Sequence, residues 1–518
     1  MAGEDKKRVA IIGAGISGLV SLKECLAEGI KAHIFEGRSE IGGQWAYQAE
    51  PDEKGELQSS MYDGVILNSC RDTTGFSDFP IDPERHGDYF SHREMHRYVL
   101  DYADYFGLHK HISLSTKVLG CSQAKDGKWN VRTQGVDGKQ PEEGIYDVLI
   151  SATGINSLPI IPKFKNCEAF QGEFFHSHYY RKPSRFEGKR VVIIGAGSAA
   201  VDIASELVTC SKEVHFVTRR GTWVMPRYVL GKPIESWDSR VSQTWLPPSV
   251  AEWLNTKLLN LVQGKHPKVL QPEHGMMAQN ATVRSEFIER VRTGSIKVHR
   301  STVDSFTETG VVLADGETVE ADVIISATGY KRERPYLPSD VLSNQDTPEF
   351  ETDLYKLIVP ARYENLYFVG YIEQPGPTPP AVEAQARFAV GAIAGLHTVP
   401  KGEALLKEIR AWQAWHAKTY VRSERHVNTE TYVPYIDSLL KPLGARPSFG
   451  RLLGQVFTSG RPFEALSVLI AVYFEITSSA QWRLLGHGKK PDLAKATVLR
   501  ISSGKEKFTA KEEELLGL

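Results

Sequence analysis

Gly13-Ala14-Gly15-Ile16-Ser17-Gly18 follows the apolar run Val9-Ala10-Ile11-Ile12 near the start of the chain. This G-x-G-x-x-G pattern is typical of the turn from a buried strand into a helix in a dinucleotide-binding fold. The first glycine permits a tight turn, the second lets the backbone approach a pyrophosphate, and the third lets the helix pack against the strand. The helix then presents free N–H groups and its positive dipole end to the phosphates.

A second copy of the pattern, with alanine in place of the third glycine, lies in the middle of the chain. Val191-Val192-Ile193-Ile194 leads into Gly195-Ala196-Gly197-Ser198-Ala199-Ala200. A single match is weak, but two matches in the same strand–turn–helix context indicate two nucleotide sites. The residues predicted to contact the second nucleotide are Gly195, Gly197, Ser198, Ala199, Ala200 and Asp202.

The end of the following strand distinguishes the two sites. The first site has Glu36 after Ala32–Phe35, and a carboxylate there accepts hydrogen bonds from a free ribose 2′-hydroxyl and repels a 2′-phosphate. The second site has Thr218 followed by Arg219 and Arg220, whose guanidinium groups suit a 2′-phosphate. The first site therefore predicts FAD or NAD and the second predicts NADPH, as in a flavoprotein that takes hydride from NADPH.

Composition narrows the class of protein. The 518 residues are 41% hydrophobic and 24% charged with a net charge of −1, so nothing indicates a nucleic-acid partner. The five cysteines form no C-x-x-C pair, which predicts a reducing, cytoplasmic location and no metal, and excludes a disulfide reductase of the C-x-x-C type. Their positions are Cys25, Cys70, Cys121, Cys167 and Cys210.

Two features bear on membranes. The polar stretch Met1–Arg8 leads directly into the first strand and leaves no room for a signal peptide. No run of about 20 apolar residues exists, so no transmembrane helix is predicted. Ala465–Phe474 is too short to span and is predicted to be a buried helix. A peripheral membrane contact there and a homodimer both stay open at this point.

A weak internal repeat predicts how the two sites are connected. Tyr146–Gly154 is echoed by Ala321–Gly329, and both are short apolar runs ending in Ala-Thr-Gly. Each lies downstream of its own fingerprint and reads as a strand that returns the chain to the other nucleotide domain. The Pro-rich stretches 158–162 and 334–338 are predicted to be the two hinge connections.

The predicted fold is α/β, with two Rossmann-like dinucleotide-binding domains, the NADPH domain inserted in the FAD domain, and a helical C-terminal region. An insertion that covers the active-site side is expected within the NADPH domain. The predicted limits are 1–165 and 330–445 for the FAD domain, 166–329 for the NADPH domain, 230–290 for the insertion and 446–518 for the C-terminal region.

A further pattern, F-x-G-x-x-x-H-x-x-x-Y/F, lies just before the second fingerprint as Phe170-Gln171-Gly172-Glu173-Phe174-Phe175-His176-Ser177-His178-Tyr179-Tyr180. With this pattern the chain resembles the flavin-containing monooxygenases, the class B flavoprotein monooxygenases. The resemblance spans roughly residues 7–490. Animal microsomal members usually end in a hydrophobic anchor, whereas none is expected here. Further matching stretches are Gly42–Trp45, Asn68-Ser69, Phe76–Pro80, Thr218–Gly221, Ala327–Tyr330 and Arg425-His426.

The resemblance implies an NADPH- and O2-dependent enzyme. Its bound FAD would form a C4a-hydroperoxide that oxygenates a soft nitrogen or sulfur of a small amine or thioether. Asn68 is the implied catalytic residue; from the residues alone, an ordinary turn role stays open for it. His176 is expected to be structural. The residues predicted to contact FAD are Gly13, Ala14, Gly15, Ile16, Ser17, Gly18, Glu36, Gly43, Gln44, Trp45, Asn68, Ser69, Thr153 and Gln385.

Three alternatives remain from the sequence. A Baeyer–Villiger oxygenase of ketones shares the pattern but ends it in Trp-Pro, whereas here Tyr180 is followed by Arg181. An NADPH oxidase that releases H2O2 would have the same two sites. A non-catalytic nucleotide-binding protein would bind FAD without NADPH-driven reduction.

Overall fold

The computed structural model describes residues 7–52, 55–135, 138 and 140–518. Most of the Met1–Arg8 stretch on which the signal-peptide expectation rests lies outside the described residues. Two parallel sheets of five strands each organise the described chain.

The first sheet has the first fingerprint strand at its centre. All of its pairings are parallel. The central strand is buried on both faces, which explains why Val9–Ile12 is an uninterrupted apolar run. In spatial order the strands are Leu366–Phe368, Val148–Ser151, Arg8–Ile12, Lys31–Phe35 and Ile112–Ser113.

The second sheet repeats this arrangement around the second fingerprint strand. Its pairings are also parallel. Along the chain, all of its strands lie between Val148–Ser151 and Leu366–Phe368 of the first sheet. This confirms the predicted insertion of one nucleotide-binding fold in the other. In spatial order they are Lys297–His299, Glu213–Val217, Arg190–Ile194, Val323–Ser326 and Glu173–His176.

The internal repeat extends beyond the Ala-Thr-Gly strands. A three-stranded antiparallel meander precedes each of them, so both units share an order of elements. The first meander comprises Thr116–Gln123, Trp129–Gly135 and Glu142–Tyr146, and the second comprises Val303–Thr307, Gly310–Leu313 and Thr318–Glu320. The residue limits of the four regions remain predictions.

The two connections between the units run side by side. Leu158–Pro159 pairs antiparallel with Tyr330–Lys331, and the Ile160 N–H donates to the Gly329 carbonyl at 2.9 Å. The second connection therefore pairs just before the Pro-rich stretch 334–338 that the sequence indicated.

Helices cover the sheets and form the C-terminal region, as predicted. None of those among the described residues is long and apolar enough to cross a membrane. The longer helices of the two units are Ile16–Ala27, His92–Tyr105, Ser198–Leu207, Phe287–Arg292, Thr378–Ile393, Gly402–Thr419 and Val433–Leu440. Those of the C-terminal region are Phe449–Thr458, Pro462–Phe474, Pro491–Ser502 and Ala510–Leu516.

The insertion 230–290 contains one long helix that its sequence pattern did not indicate. Pro248–Gln263 is helical, yet among its residues only Leu259 is buried. Its apolar residues are divided between exposed and partly buried positions, so they show no clear helical periodicity. The exposed ones are Val250, Trp253, Leu254 and Leu261. The shorter elements of the insertion include the strands Lys232–Pro233 and Thr282–Val283 and the helix Arg240–Thr244, and Lys232–Pro233 pairs with Tyr228–Val229 just before the insertion.

A buried charge cluster joins the C-terminal region to the first unit. One nitrogen of Arg483, Nη2, lies 2.6 Å from Glu24, 2.6 Å from Glu383 and 3.2 Å from Asp78. The ammonium of Lys23 contacts Glu24 and Asp78 at 2.8 and 2.5 Å. These carboxylates converge closely enough to suggest a metal site, but Lys23 and Arg483 already neutralise them.

The cluster holds the carboxyl groups of Glu24 and Asp78 ionised despite their burial. Burial raises the pKa of Glu24, but Lys23 and Arg483 outweigh it and lower that pKa to about 2. The pKa of Asp78 is also lowered, because the neighbouring cations outweigh its burial. Both groups therefore stabilise the fold above their unfolded pKa values, near 4, and less so as the pH falls through the lowered values.

Replacing Arg483 should destabilise the protein strongly at neutral pH. Arg483→Ala leaves buried carboxylates short of a cation, which costs about 3–5 kcal/mol of unfolding free energy. Thermal and urea unfolding at pH 7 measure this loss, and the gap to the parent protein should narrow below about pH 4. Arg461→Ala, which removes an exposed pair with Glu464, is the control. Equal effects of the two substitutions would contradict the role given to the cluster.

Candidate functional site

The first predicted site forms where strands of the first sheet end. Gly13, Glu36 and Ala152 each follow a strand of this parallel sheet, so all three lie at its carboxyl edge. This edge is where ligands bind in open α/β folds. Gly13 has a φ of +100°, and a Cβ there would lie 2.9 Å from the Ala152 carbonyl oxygen, so the tight turn requires glycine.

Glu36 is aimed at the fingerprint turn. Its carboxylate accepts from the Ala14 N–H at 2.6 Å and from the Arg38 N–H at 2.9 Å. The helix Ile16–Ala27 starts after Gly15, which provides no side-chain cap, so its first N–H groups are available to a phosphate. This donor set, with a carboxylate beside it, fits a dinucleotide that has a free ribose 2′-hydroxyl.

The turn at Gly42-Gly43 lies directly against the first fingerprint. A Cβ on Gly43 would lie 2.8 Å from the Cα of Gly15. This contact places Gln44 and Trp45 next to the fingerprint. Trp45 is half-buried against the main core, and the Gln44 amide donates to the Ser60 hydroxyl.

The second predicted site has the same backbone geometry with opposite charge. A Cβ on Gly195 would collide with the Ala327 carbonyl, as at Gly13. Arg219 and Arg220 are exposed, and neither forms an ion pair or hydrogen bond with another described side chain. Thr218 is engaged in the turn, where its hydroxyl accepts from the Gly221 N–H at 3.0 Å. Both guanidinium groups are therefore free to bind an anion.

Arg425 is a cation at the second fingerprint that sequence reasoning did not assign to this site. Its Nη1 lies 3.2 Å from where a Cβ on Gly197 would be, and Nη2 lies 3.8 Å from Glu373. A guanidinium over the fingerprint turn complements a pyrophosphate. The sequence showed Arg425 only as part of a matching stretch far along the chain.

Asn68 is exposed and its amide is oriented. Its Oδ1 accepts from Arg227 Nη2 at 3.2 Å, and the same guanidinium donates to the carbonyls of Ile66 and Leu67 at 3.1 and 3.2 Å. Since arginine has only donors, it must face the amide oxygen. The Asn68 nitrogen, which has no hydrogen-bond partner among the described residues, remains a free donor.

Comparison with known proteins gives the family. The family model described as "FMO-like: Flavin-binding monooxygenase-like" matches residues 6–511. The chain belongs to the flavin-binding monooxygenases. It is 34% identical to flavin-containing monooxygenase 5 of Oryctolagus cuniculus over 96% of this chain and 92% of the relative. It is 33% identical to dimethylaniline monooxygenase [N-oxide-forming] 2 of Macaca mulatta over 93% and 89%.

Solved structures show the same fold. S-allyl-L-cysteine S-oxygenase from Allium sativum aligns with a TM-score of 0.64 at 24% identity, over 88% of this chain and 93% of that one. The closed structure of cyclohexanone monooxygenase aligns with a TM-score of 0.61 at 17% identity, over 84% and 97%. The predicted family, fold class and flavin-dependent enzyme class are thereby confirmed.

Some predicted cofactor contacts of this monooxygenase have side chains already engaged by protein. The amide of Gln385 is fully buried, accepting from the Gly370 N–H at 2.8 Å and donating to Tyr435 at 2.7 Å. A Cβ on Gly370 would collide with Ser17 Oγ, so Gln385 supports the first fingerprint from behind. Direct contact of Gln385 with flavin stays a prediction.

Three more predicted residues have protein partners. The Ser69 hydroxyl bonds Thr74 at 2.8 Å, and Thr153 bonds the Tyr336 hydroxyl at 3.1 Å. Asp202 accepts from Tyr62 at 2.8 Å. Their contacts with nucleotides also stay predictions.

Gln374 is a further residue that the sequence analysis missed. It lies between Gly370 and the start of the helix Thr378–Ile393, and its Oε1 is buried with no hydrogen-bond partner among the described residues. An orphaned acceptor at this edge is available to a ligand N–H. Its flanking Pro375-Gly376-Pro377 was the only local signal.

His176 is fully buried, and its Nδ1 accepts from the His178 N–H at 3.0 Å. Burial lowers the pKa of His176 to about 4, with His178 contributing. The imidazole is therefore neutral at pH 7, in keeping with the structural role expected for it.

Removing both free guanidinium groups should abolish selectivity for a 2′-phosphate. Each charge-assisted contact contributes about 1.5–3 kcal/mol, so Arg219→Ala/Arg220→Ala should weaken NADPH binding by at least about 100-fold. NADH binding should change little. Titration calorimetry with both nucleotides measures this, with Lys212→Ala, an exposed cation at the opposite end of the same strand, as control. An equal loss for both nucleotides would show that the pair supports the fold instead.

Proposed function

We propose that this chain is an NADPH- and O2-dependent flavin monooxygenase that oxygenates soft nitrogen or sulfur atoms of small molecules. The proposal rests on the presence of two matching nucleotide sites in one chain. The first cradle is the turn Gly13–Gly18 with the Glu36 carboxylate, and the second cradle is the turn Gly195–Ala200 with the free Arg219 and Arg220. A chain with both sites can bring a reductant nucleotide and a flavin together.

In this proposal the first cradle holds FAD. The uncapped N-terminus of Ile16–Ala27 binds the pyrophosphate, and Glu36 binds the ribose hydroxyls. A flavin bound there would supply, once reduced, the activation of O2 and the chemistry of oxygen transfer to the substrate. The protein has to place the rings and keep bulk water away.

The second cradle holds NADPH. Arg219 and Arg220 bind its 2′-phosphate, and Arg425 lies beside the turn that binds the pyrophosphate. A structural neighbour, OTEMO, was solved in complex with FAD and NADP, at 20% identity and a TM-score of 0.60. That protein supports the same pair of cofactors here.

Asn68 acts as a neutral hydrogen-bond donor in the oxygenation step. Arg227 fixes its amide oxygen, so the Nδ2 protons point away from Arg227 toward open space. A neutral donor can stabilise developing negative charge on oxygen without donating a proton outright.

Nitrogen or sulfur is favoured over ketones as the site of oxygenation. A relative that matches 93% of this chain at 33% identity is an N-oxide-forming enzyme. Cyclohexanone monooxygenase shares only the fold, at 17% identity. Tyr180 is fully buried and donates to Glu206 at 2.8 Å, and the Arg181 side chain donates to the carbonyls of Gln48 and Ser59. Tyr180 and Arg181, which stand where the Baeyer–Villiger pattern has Trp-Pro, thus make contacts within the protein.

Substituting Asn68 should separate reduction from oxygenation. Asn68→Ala and Asn68→Asp should keep FAD and be reduced by NADPH at near the parent rate. Loss of a preorganised donor should then lower oxygenation of a tertiary amine or thioether by on the order of tenfold or more, with H2O2 released instead. Stopped-flow absorbance measures flavin reduction, and product mass measures oxygenation. Asn255→Ala, at an exposed asparagine of the helix Pro248–Gln263, is the control. Unchanged product yield per NADPH would make Asn68 an ordinary turn residue.

We also propose a peripheral contact with a lipid surface. The prediction of a buried helix at Ala465–Phe474 is wrong in part, because the helix Pro462–Phe474 buries only one side. On the other side Phe463 is 85% exposed, and Leu466, Ile470 and Phe474 share its face. Phe457 of the preceding helix is 80% exposed. Such a cluster of exposed aromatic and aliphatic side chains is typical of an interaction surface.

Phosphatidylcholine vesicles test this contact. The protein should co-sediment with them, and Phe457→Ser/Phe463→Ser should reduce the bound fraction several-fold, because each substitution removes the burial of a whole aromatic ring. Leu396→Ser, at an exposed leucine elsewhere, is the control. If the parent protein stays in the supernatant, the surface has another role, such as contact between two copies of the chain.

A further inference from the structure

The turn that carries Asn68 is held on its far side by a carboxyl group from the insertion. Glu235 Oε1 accepts from the Cys70 N–H at 2.9 Å. Glu235 Oε2 lies 2.6 Å from the Tyr89 hydroxyl. Nothing in the sequence joins Glu235 to Asn68, because the two are far apart along the chain.

Tyr89 links this carboxyl group to Arg227. The Tyr89 hydroxyl also lies 2.7 Å from the Arg227 carbonyl and accepts from the Ile234 N–H at 3.3 Å. Arg227 in turn binds the Asn68 oxygen. The Asn68 turn is therefore bound at both ends. The Arg227 guanidinium binds the carbonyls that precede Asn68, and Glu235 binds the Cys70 N–H that follows it.

The hydroxyl of Tyr89 has one proton and two oxygen acceptors within hydrogen-bond distance. If Glu235 is neutral, its proton can be donated to Tyr89, and Tyr89 can then donate to the Arg227 carbonyl. If Glu235 is ionised, the single Tyr89 proton can serve only one contact, so either the Tyr89–Glu235 or the Tyr89–Arg227 contact has no hydrogen between its two oxygens. The geometry is thus fully satisfied only with an additional proton on the carboxyl group.

The surroundings agree with a neutral group. Burial raises the pKa of Glu235. The titratable groups that face it are Tyr89, the Cys70 thiol, Asp238 and Tyr432, and among the described residues no lysine or arginine forms an ion pair with it. Arg227 lies over the Tyr89 ring, 5.9 Å from its centre.

We propose that Glu235, in its neutral form, is a positioning residue for Asn68 that acts through Cys70 and through the Tyr89–Arg227 contact. This role rests on the proposed oxygenation at Asn68. It assigns to the insertion 230–290 a part in keeping oxygen transfer coupled to NADPH consumption.

Three variants test the proposal. Glu235→Gln keeps an acceptor for Cys70 and a donor for Tyr89, so product per NADPH should stay within about twofold of the parent. Glu235→Ala and Tyr89→Phe should lower it several-fold and raise H2O2, with flavin reduction by NADPH nearly unchanged. Glu289→Ala, an exposed glutamate near the end of the insertion, is the matched control.

The pH profile and amide exchange provide readouts that a general loss of stability would not reproduce. Product per NADPH in the parent should fall as the pH rises through the raised pKa of Glu235, and Glu235→Gln should remove this fall. Hydrogen–deuterium exchange in the peptide containing Cys70, measured without nucleotides, should quicken in Glu235→Ala and not in Glu235→Gln or Glu289→Ala.

Two results would overturn the inference. One is parent-like coupling and exchange in Glu235→Ala and Tyr89→Phe. The other is equal damage in Glu235→Gln and Glu235→Ala, which would show that only the ionised carboxylate serves. Failure of the proposed function is distinct, since the parent protein itself would then form no oxygenated product while the exchange experiment still reports on Glu235.

Discussion

The Arg483 guanidinium is the contact on which the frame of the first nucleotide site depends. It reaches Glu24 on the helix that begins at the first fingerprint and Glu383 on the helix that supports Gly370. It also holds the loop at Ser77, whose hydroxyl accepts from its Nε at 2.8 Å. Buried charges are tolerated only when each has partners, so these elements cannot separate without exposing an uncompensated charge. The C-terminal region is thus part of the site's frame and not an appendage.

The two nucleotide units use one backbone solution for two chemistries. Each has a glycine turn pressed against an Ala-Thr-Gly strand, and the differences lie in the side chains that follow: Glu36 in one, Arg219 and Arg220 in the other. The segment around Asn68 belongs to the first unit in sequence, yet residues of the second unit hold it at several points. Arg227 holds its carbonyls, and Asp202 holds Tyr62. The candidate oxygenation site is therefore assembled from both units.

The sequence predicted those features that local patterns encode. Buried parallel strands produce continuous apolar runs, and the fingerprint turns require glycine, so both sheets and both cradles could be found before the structure. Contacts between distant residues left no such pattern. Three side chains reach their sites from distant parts of the chain: Arg425, Arg227 and Glu235. One arginine or glutamate among many gives no sign in the sequence of which site it reaches. The engagement of Gln385 was hidden for the same reason, since its partners Gly370 and Tyr435 come from other elements.

The pairing of Leu158–Pro159 with Tyr330–Lys331 has a mechanical consequence. Two separate crossings would let the inserted unit swivel and tilt freely, but crossings joined by backbone hydrogen bonds form a short ribbon. A ribbon bends across its plane more easily than within it, so these two connections, taken by themselves, favour a relative swing of the two units about one axis. Such a swing would carry the second cradle toward or away from the first along a single arc.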